Sequence, residues 1–249
     1  MAIRKCTGRL HRLYRNLGAT TRLIPAAKIL WPNPTPDPPG STEGIQELEF
    51  FSKVDRSTGA PINQTILNEE NKRHAMYLAR MRNEDGTSTK TVFVKFAMKY
   101  NATAHRLLAN NKPPLAPALY SCTRVVGDMF MVVMEYLPGT SLRDVPLPLP
   151  AATYEAVRRD ISRALELLHE QDFVFGYLHE ANLLYLPEDS GRALLVDFDN
   201  VGRDGKDEYP NFNDPDAKLK VDRLWQIMEK SYDIEDFGRL MDRFSGLRR

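Results

Sequence analysis

One strongly periodic helix divides this sequence into two unlike halves. From Thr153, a residue type suited to capping, the apolar positions Val157, Ile161, Ala164, Leu165 and Leu168 recur at helical spacing, and the pattern stops near His169-Glu-Gln-Asp172. Before it stand two hairpin patterns. Ala75 to Met81 and Thr91 to Phe96 are strand-compatible runs joined by a segment holding the Asp85-Gly86 turn signal. Ala118 to Arg124 and Met129 to Tyr136 flank Gly127-Asp128. Between the hairpins, Asn101 to Asn110 places Ala104, His105, Leu107 and Leu108 on one side of a short helix that stops before two prolines. After the long helix come three short apolar runs, Phe173 to Leu178, Leu183 to Leu186 and Ala193 to Val196, with a turn at Glu188 to Gly191. Strands, a helix, then a loop-and-hairpin region imply an α+β order.

The chain ahead of Leu48 follows other rules. Arg4, Lys5, Arg9, Arg12, Arg15, Arg22 and Lys28 precede the first acid, Asp37, a composition shared by mitochondrial presequences and by solvated basic arms, of which the arm is the reading adopted. Trp31 to Pro39 holds five prolines in nine residues, which restricts it to extended or irregular backbone and reads as a spacer. The expected division is a basic, proline-rich extension over 1–47, a small β-rich lobe over 48–137 and a truncated helical large lobe over 138–249. Lys and Arg number 34 against 33 Asp and Glu, so the field of the whole chain favours no nucleic-acid partner. Two cysteines, Cys6 and Cys122, suit a reducing compartment and suggest neither a disulfide framework nor a metal cluster. The apolar runs at Val92 to Phe96 and Met129 to Val133 fall far short of the roughly 20 residues that cross a bilayer. A cytoplasmic protein with no membrane partner is expected.

Four segments carry chemistry, and their order matters more than any one of them. Val92-Phe-Val-Lys95-Phe puts an amine on an apolar strand, where the neighbours fix its direction and the long stem reaches outward. Met131-Val-Val-Met-Glu135-Tyr-Leu-Pro-Gly139 is a core strand running into a Pro-Gly turn. Phe173-Val-Phe-Gly-Tyr177-Leu-His-Glu-Ala-Asn182 follows the long helix directly. Asp197 ends the apolar strand Leu194-Leu-Val, fifteen residues after Asn182.

In that order and at those spacings the segments resemble the protein kinases, from about Ala75 to Leu240. A two-lobed kinase-like fold is what the resemblance implies, with ATP and Mg²⁺ as the cofactors. It assigns Lys95 to the nucleotide phosphates and Met134, Glu135 and Leu137 to the border and backbone of an adenine site. It assigns Asn182 and Asp197 to the metal, and Asp236, in Tyr232-Asp-Ile-Glu-Asp236-Phe, to tying the catalytic loop from beneath. Several strings are similar to the large group of kinase-like proteins in fungal genomes: Tyr100-Asn-Ala-Thr-Ala-His-Arg-Leu-Leu-Ala109, Val174-Phe-Gly-Tyr-Leu178, Asp197-Phe-Asp199 in place of Asp-Phe-Gly, and Gly202 to Pro210.

The departures are as informative. In the kinase pattern an aspartate stands five residues before the asparagine, where it accepts the substrate hydroxyl's proton; here that position is Tyr177, and a phenol of pKa about 10 is a poor acceptor at neutral pH. The substitutes at hand in the loop are His179 and Glu180. Thr103 stands where the group has the glutamate that pairs with the strand lysine, so Lys95 is expected to lack its ionic partner. Between Lys53 and Arg73 only Gly59 is available for a phosphate-binding loop, and no Ala-Pro-Glu segment follows Asp199. His105 and His169 read as packing or surface residues. These features favour a pseudokinase that binds ATP weakly or serves as a protein-interaction module with an unidentified protein partner. The alternatives are an active phosphotransferase with an unorthodox base and a degenerate kinase-derived protein.

Overall fold

The computed structural model describes residues 31–37, 47–55, 61–62, 75–82, 86, 88–189, 191–209, 223 and 225–246. The basic arm, Gly59 with most of the 53–73 segment, most of the first hairpin's turn, and Pro210 lie outside the described residues. Met1–Trp31 and Pro32–Arg249 are separate units, and all but one of the described residues belong to the second.

Five strands, β1 (Leu48–Lys53), β2 (Met76–Arg82), β3 (Thr89–Ala97), β4 (Leu119–Val125) and β5 (Met129–Glu135), form an antiparallel sheet in the order β1-β2-β3-β5-β4. Both expected hairpins are present, with Met76 opposite Lys95 and Val125 opposite Met129. β5 reads Met-Phe-Met-Val-Val-Met because the sheet is covered on both sides there. Met131 and Val133 join Ala79, Met81, Val92, Val94 and Val125 on one face, while Val132 and Met134 enter the main core on the other.

Helix α1 (Ala102–Ala109) lies against that second face, capped by the Asn101 side chain, which accepts a hydrogen bond from the Ala104 N–H at 3.0 Å. Its His105 and Leu108 are buried. Helix α2 (Ala151–Glu170) buries each of the five apolar positions that its periodicity marks. Roughly 1.5–3 kcal/mol per large aliphatic side chain makes that stripe a main source of stability. It begins two residues ahead of Thr153, with Pro150 at the cap and no side-chain cap bond. The fixed φ of proline ends the preceding loop there, so Thr153 lies inside the first turn. Asp160, buried on α2, accepts from the Ala193 N–H at 3.2 Å and from Arg192 Nε at 3.3 Å, which pins β9 (Arg192–Leu195) to the helix.

β6 (Thr140–Ser141), which precedes α2, forms one small sheet with β8 (Leu183–Leu186) and β9 beyond it, and β7 (Phe173–Val174) pairs with β10 (Gly202–Arg203). Gly139 lets the chain leave β5 past β8: an added Cβ would sit 2.7 Å from the Tyr185 carbonyl oxygen. Helix α3 (Lys230–Phe244) closes the unit, burying Leu240, Met241 and Phe244.

The proline-rich segment is docked, contrary to the reading of it as a spacer. Asp37 donates its N–H to the Arg124 carbonyl at 3.1 Å, Thr35 accepts from the Val126 N–H at 2.9 Å, and the Asp37 carboxylate meets Arg124 Nε at 3.2 Å. β4 is an edge strand with unpaired backbone groups, and Thr35 and Asp37 supply the groups that proline lacks while Pro36 between them limits further pairing.

Candidate functional site

β3 carries Lys95 from the middle of the sheet toward the turn after β9, and the two meet through charge. Lys95 Nζ forms an ion pair with Asp197 Oδ1 and a second with Asp199 Oδ2 at 2.8 Å. The lysine side chain keeps 14% of its exposure, so the contacts are largely shielded from water. Burial pulls the ammonium's pKa down, but the charges of Asp197 and Asp199 and the hydrogen bonds to both more than offset it, holding Lys95 above its usual 10.5. Asp199 is pushed up to about 7, first by burial and then by the charge of Asp197, against the pull of Lys95. Asp197 sits in left-handed backbone at φ 69°, a conformation that costs a non-glycine residue about 1–2 kcal/mol. The lysine was expected to lack an ionic partner because position 103 holds threonine. Thr103 is exposed on α1, and two carboxylates from the turn after β9 hold Lys95 instead.

That turn is fixed from three sides. Asn101 donates its N–H to the Phe198 carbonyl at 3.1 Å, joining the start of α1 to it. Phe198 stacks on His105 at 4.5 Å and meets Phe175 edge-on at 5.7 Å. His105 also contacts the Tyr100 hydroxyl through Nδ1 at 2.7 Å and the Pro117 carbonyl through Nε2 at 2.8 Å. A carbonyl only accepts, so Nε2 carries the proton and Nδ1 accepts from the tyrosine. Burial lowers the His105 pKa from 6.5 to about 4, and the ring is neutral. His105 is the packing residue expected of it.

The loop after β7 keeps a defined backbone around Tyr177. Asn182, buried, donates from Nδ2 to the Tyr177 carbonyl at 3.0 Å, so any metal contact falls to its carboxamide oxygen. From beneath, the Asp233 carboxylate accepts the N–H groups of Phe175 at 2.7 Å and Gly176 at 2.9 Å, and its Oδ2 meets His169 Nε2 at 3.0 Å. These bonds turn the chain out of β7 after two residues, inside the apolar run Phe173 to Leu178. Gly176 makes the turn at φ 76°, and a Cβ there would lie 2.7 Å from the Asn200 carbonyl.

The tie assigned to Asp236 therefore belongs to Asp233. Asp236 instead meets Arg223 Nη1 at 3.2 Å and Arg239 Nη2 at 3.3 Å. Both aspartates lie on the buried stripe of α3, at helical spacing with Leu240 and Phe244, so periodicity does not separate them. Depth does, because Asp233 reaches the loop backbone with no exposure at all.

Neither substitute base stands ready. Glu180 is ion-paired with Arg243 Nη1 at 2.5 Å, and His179 accepts the Ala181 N–H on Nδ1 at 3.2 Å while its ring lies 4.3 Å from that of Tyr177. At the expected adenine border, Met134 is buried in the core. Glu135 gives its N–H to the Ala118 carbonyl at 2.8 Å and accepts the Ala118 N–H on Oε2 at 3.1 Å. An adenine contact at Glu135 is thus left to its carbonyl. Leu137 lies just beyond β5, half-buried.

As a metal site the cleft offers two hard carboxylates and one carboxamide oxygen. Among the described residues no group of three or more His, Cys, Asp or Glu could hold an ion. That donor set fits Mg²⁺ bound by one or two carboxylates together with phosphate oxygens, rather than in an all-protein cage. No helix among the described residues is long and apolar enough to cross a membrane.

Neither a family model nor a curated protein sequence matches the chain. Among solved structures it is similar to the Cydia pomonella granulovirus kinase PK-1, with a TM-score of 0.55 and 20% identity over 70% of this chain. The match spans 64% of the viral kinase's chain. At that identity the likeness speaks for the fold: a protein-kinase-like one, with a small β lobe and a helical lobe.

Proposed function

We propose that this chain is a pseudokinase of the kind found among the kinase-like proteins of fungal genomes: a kinase-shaped module that binds Mg²⁺-ATP weakly and acts through contacts with a protein partner in the cytoplasm. The observation that carries this reading is the meeting of Lys95 with Asp197 and Asp199, which joins a phosphate-binding amine to hard carboxylates where a kinase-like fold holds its nucleotide. Lys95 neutralises phosphate charge, Asp197 with the Asn182 oxygen holds the metal, and the chain beside Met134, Glu135 and Leu137 borders the base. Tyr177 supports the absence of efficient transfer. It supplies no carboxylate, and Glu180, the nearest one in the loop, is engaged by Arg243.

The test is thermal unfolding of the full chain with ATP, with and without Mg²⁺. At a ligand concentration of one hundred times Kd the stabilisation is about 2.7 kcal/mol, on the order of 5–10 °C for a chain of this size. Mg²⁺-dependent stabilisation that Lys95→Met weakens, and that loses its metal dependence in Asp197→Asn, is expected. A flat response in the parent removes the nucleotide from the reading, and brisk phosphotransfer by the parent removes the prefix "pseudo".

A further inference from the structure

Position 199 is glycine in the ordinary kinase motif, and here it holds a carboxylate 2.8 Å from the lysine that the fold's usual helix glutamate would orient. Three observations bear on what it does there. Thr103, at the glutamate's place, is exposed and has no ionisable group to offer. Lys95 contacts two carboxylates at once, although a metal engaged by Asp197 would draw that carboxylate's charge away from the ammonium. The backbone that carries Asp199 is anchored independently of Lys95: Phe198 gives its carbonyl to the Asn101 N–H, and Asn101 Nδ2 donates to the Val201 carbonyl at 3.4 Å.

We propose that Asp199 is the positioning residue of Lys95, replacing the missing helix glutamate from the opposite wall of the cleft. The inference rests on the nucleotide-binding reading above and adds a division of labour. When Asp197 turns to a metal, Asp199 continues to hold the amine. A lysine with four rotatable bonds has much side-chain freedom to lose, and a fixed anion beside its tip bears that cost before the phosphate arrives.

Two measurements on the full chain test it. The first is a double-mutant cycle with Lys95→Met, Asp199→Asn and both together, read as thermal midpoints without nucleotide. Coupling is expected, with the double variant several degrees more stable than the two single shifts would add to. The second is the affinity for Mg²⁺-ADP. Asp199→Asn should weaken it about tenfold and keep its dependence on Mg²⁺, and Asp199→Glu should recover most of the loss, whereas Asp197→Asn should lose the metal dependence itself. Rescue by glutamate and the intact metal dependence separate positioning from a structural contact and from a metal ligand.

Additive midpoints overturn the inference whether or not nucleotide binds. Unchanged affinity in Asp199→Asn overturns it while leaving the nucleotide reading in place. Coupled midpoints with no nucleotide response in the parent reduce the contact to a salt bridge, and the positioning role falls with the reading that it rests on. Should Asp199→Asn not fold, Asp199→Gly, the ordinary kinase residue, takes its place in both measurements with the same expectations.

Discussion

The lysine cleft and the loop after β7 are held by different forces. In the cleft, position depends on side-chain charge: Lys95 stands where Asp197 and Asp199 draw it, and removing either carboxylate changes what the amine faces. In the loop, position depends on backbone hydrogen bonds, because Asp233 grips the Phe175 and Gly176 N–H groups and Asn182 grips the Tyr177 carbonyl. The side chain at 177 takes no part in those bonds. A loop built this way can lose its carboxylate and keep its shape, whereas a cleft built on charge cannot lose one without rearranging. On the pseudokinase proposal, the retained cleft and the altered loop are two outcomes of one difference in construction.

The strongest way to break that comparison is to remove the grip from beneath the loop. Asp233→Ala leaves two buried N–H groups without an acceptor and His169 without its partner, at about 1–3 kcal/mol for each unsatisfied group. A loss of about 3–5 kcal/mol in urea unfolding is expected, within the range for breaking a buried charged network. Asp236→Ala should cost clearly less, since Arg223 retains Glu235 at 2.8 Å. Equal losses in the two variants would mean that the loop is not held by its underlying carboxylate.

A second effect comes from His105, which lies between the two regions through its stack on Phe198. Its folded pKa of about 4 lies below the unfolded 6.5, so the unfolded chain binds the proton first as pH falls. The stability contributed by the neutral ring is therefore complete above pH 6.5 and is lost as pH drops toward 4, by about 3 kcal/mol in all. Urea midpoints between pH 4.5 and 8 should show that slope in the parent and a flatter one in His105→Phe. An unchanged slope in the variant would assign the acid sensitivity elsewhere.

The two hairpins and α2 were legible in the sequence because burial patterns them: α2 by helical periodicity, and β5 by an unbroken apolar run that matches a strand covered on both faces, whereas β1, β6 and β10 left no such mark. Order and spacing placed Lys95 and Asp197 in one cleft, and the structure brings the two side chains together. What stayed hidden were choices between chemically identical residues on one face. Asp233 and Asp236 share a stripe, and only depth in the fold decides which reaches the loop. Asp199 was visible as a departure from glycine, but its role depends on a contact with Lys95 across 104 positions of sequence, which no local pattern encodes. The proline-rich segment misled for a related reason. Its composition fixes extended backbone, while docking depends on the open edge of β4.

The smallest expected effect sharpens the comparison most directly, because it returns a carboxylate to the loop without touching what holds it. Tyr177→Asp removes a buried ring packed on His179 but should leave the loop's backbone hydrogen bonds in place, since Asp233 and Asn182 make them to main-chain groups. A base of this kind contributes roughly 10²–10⁴ in rate, so on the pseudokinase proposal, which puts the parent's turnover below detection, the variant should rise to faint Mg²⁺-dependent ATP hydrolysis and no further. Thr103→Glu returns the glutamate that the resemblance puts at that position. With Lys95 already between two carboxylates and Thr103 exposed, the extra glutamate should change the rate less than twofold. Phosphate release measured against Asp197→Asn as the blank checks both variants. A large gain from Thr103→Glu would mean that the pair from the turn after β9 does not place the lysine for the nucleotide, and the cleft would then count as altered along with the loop.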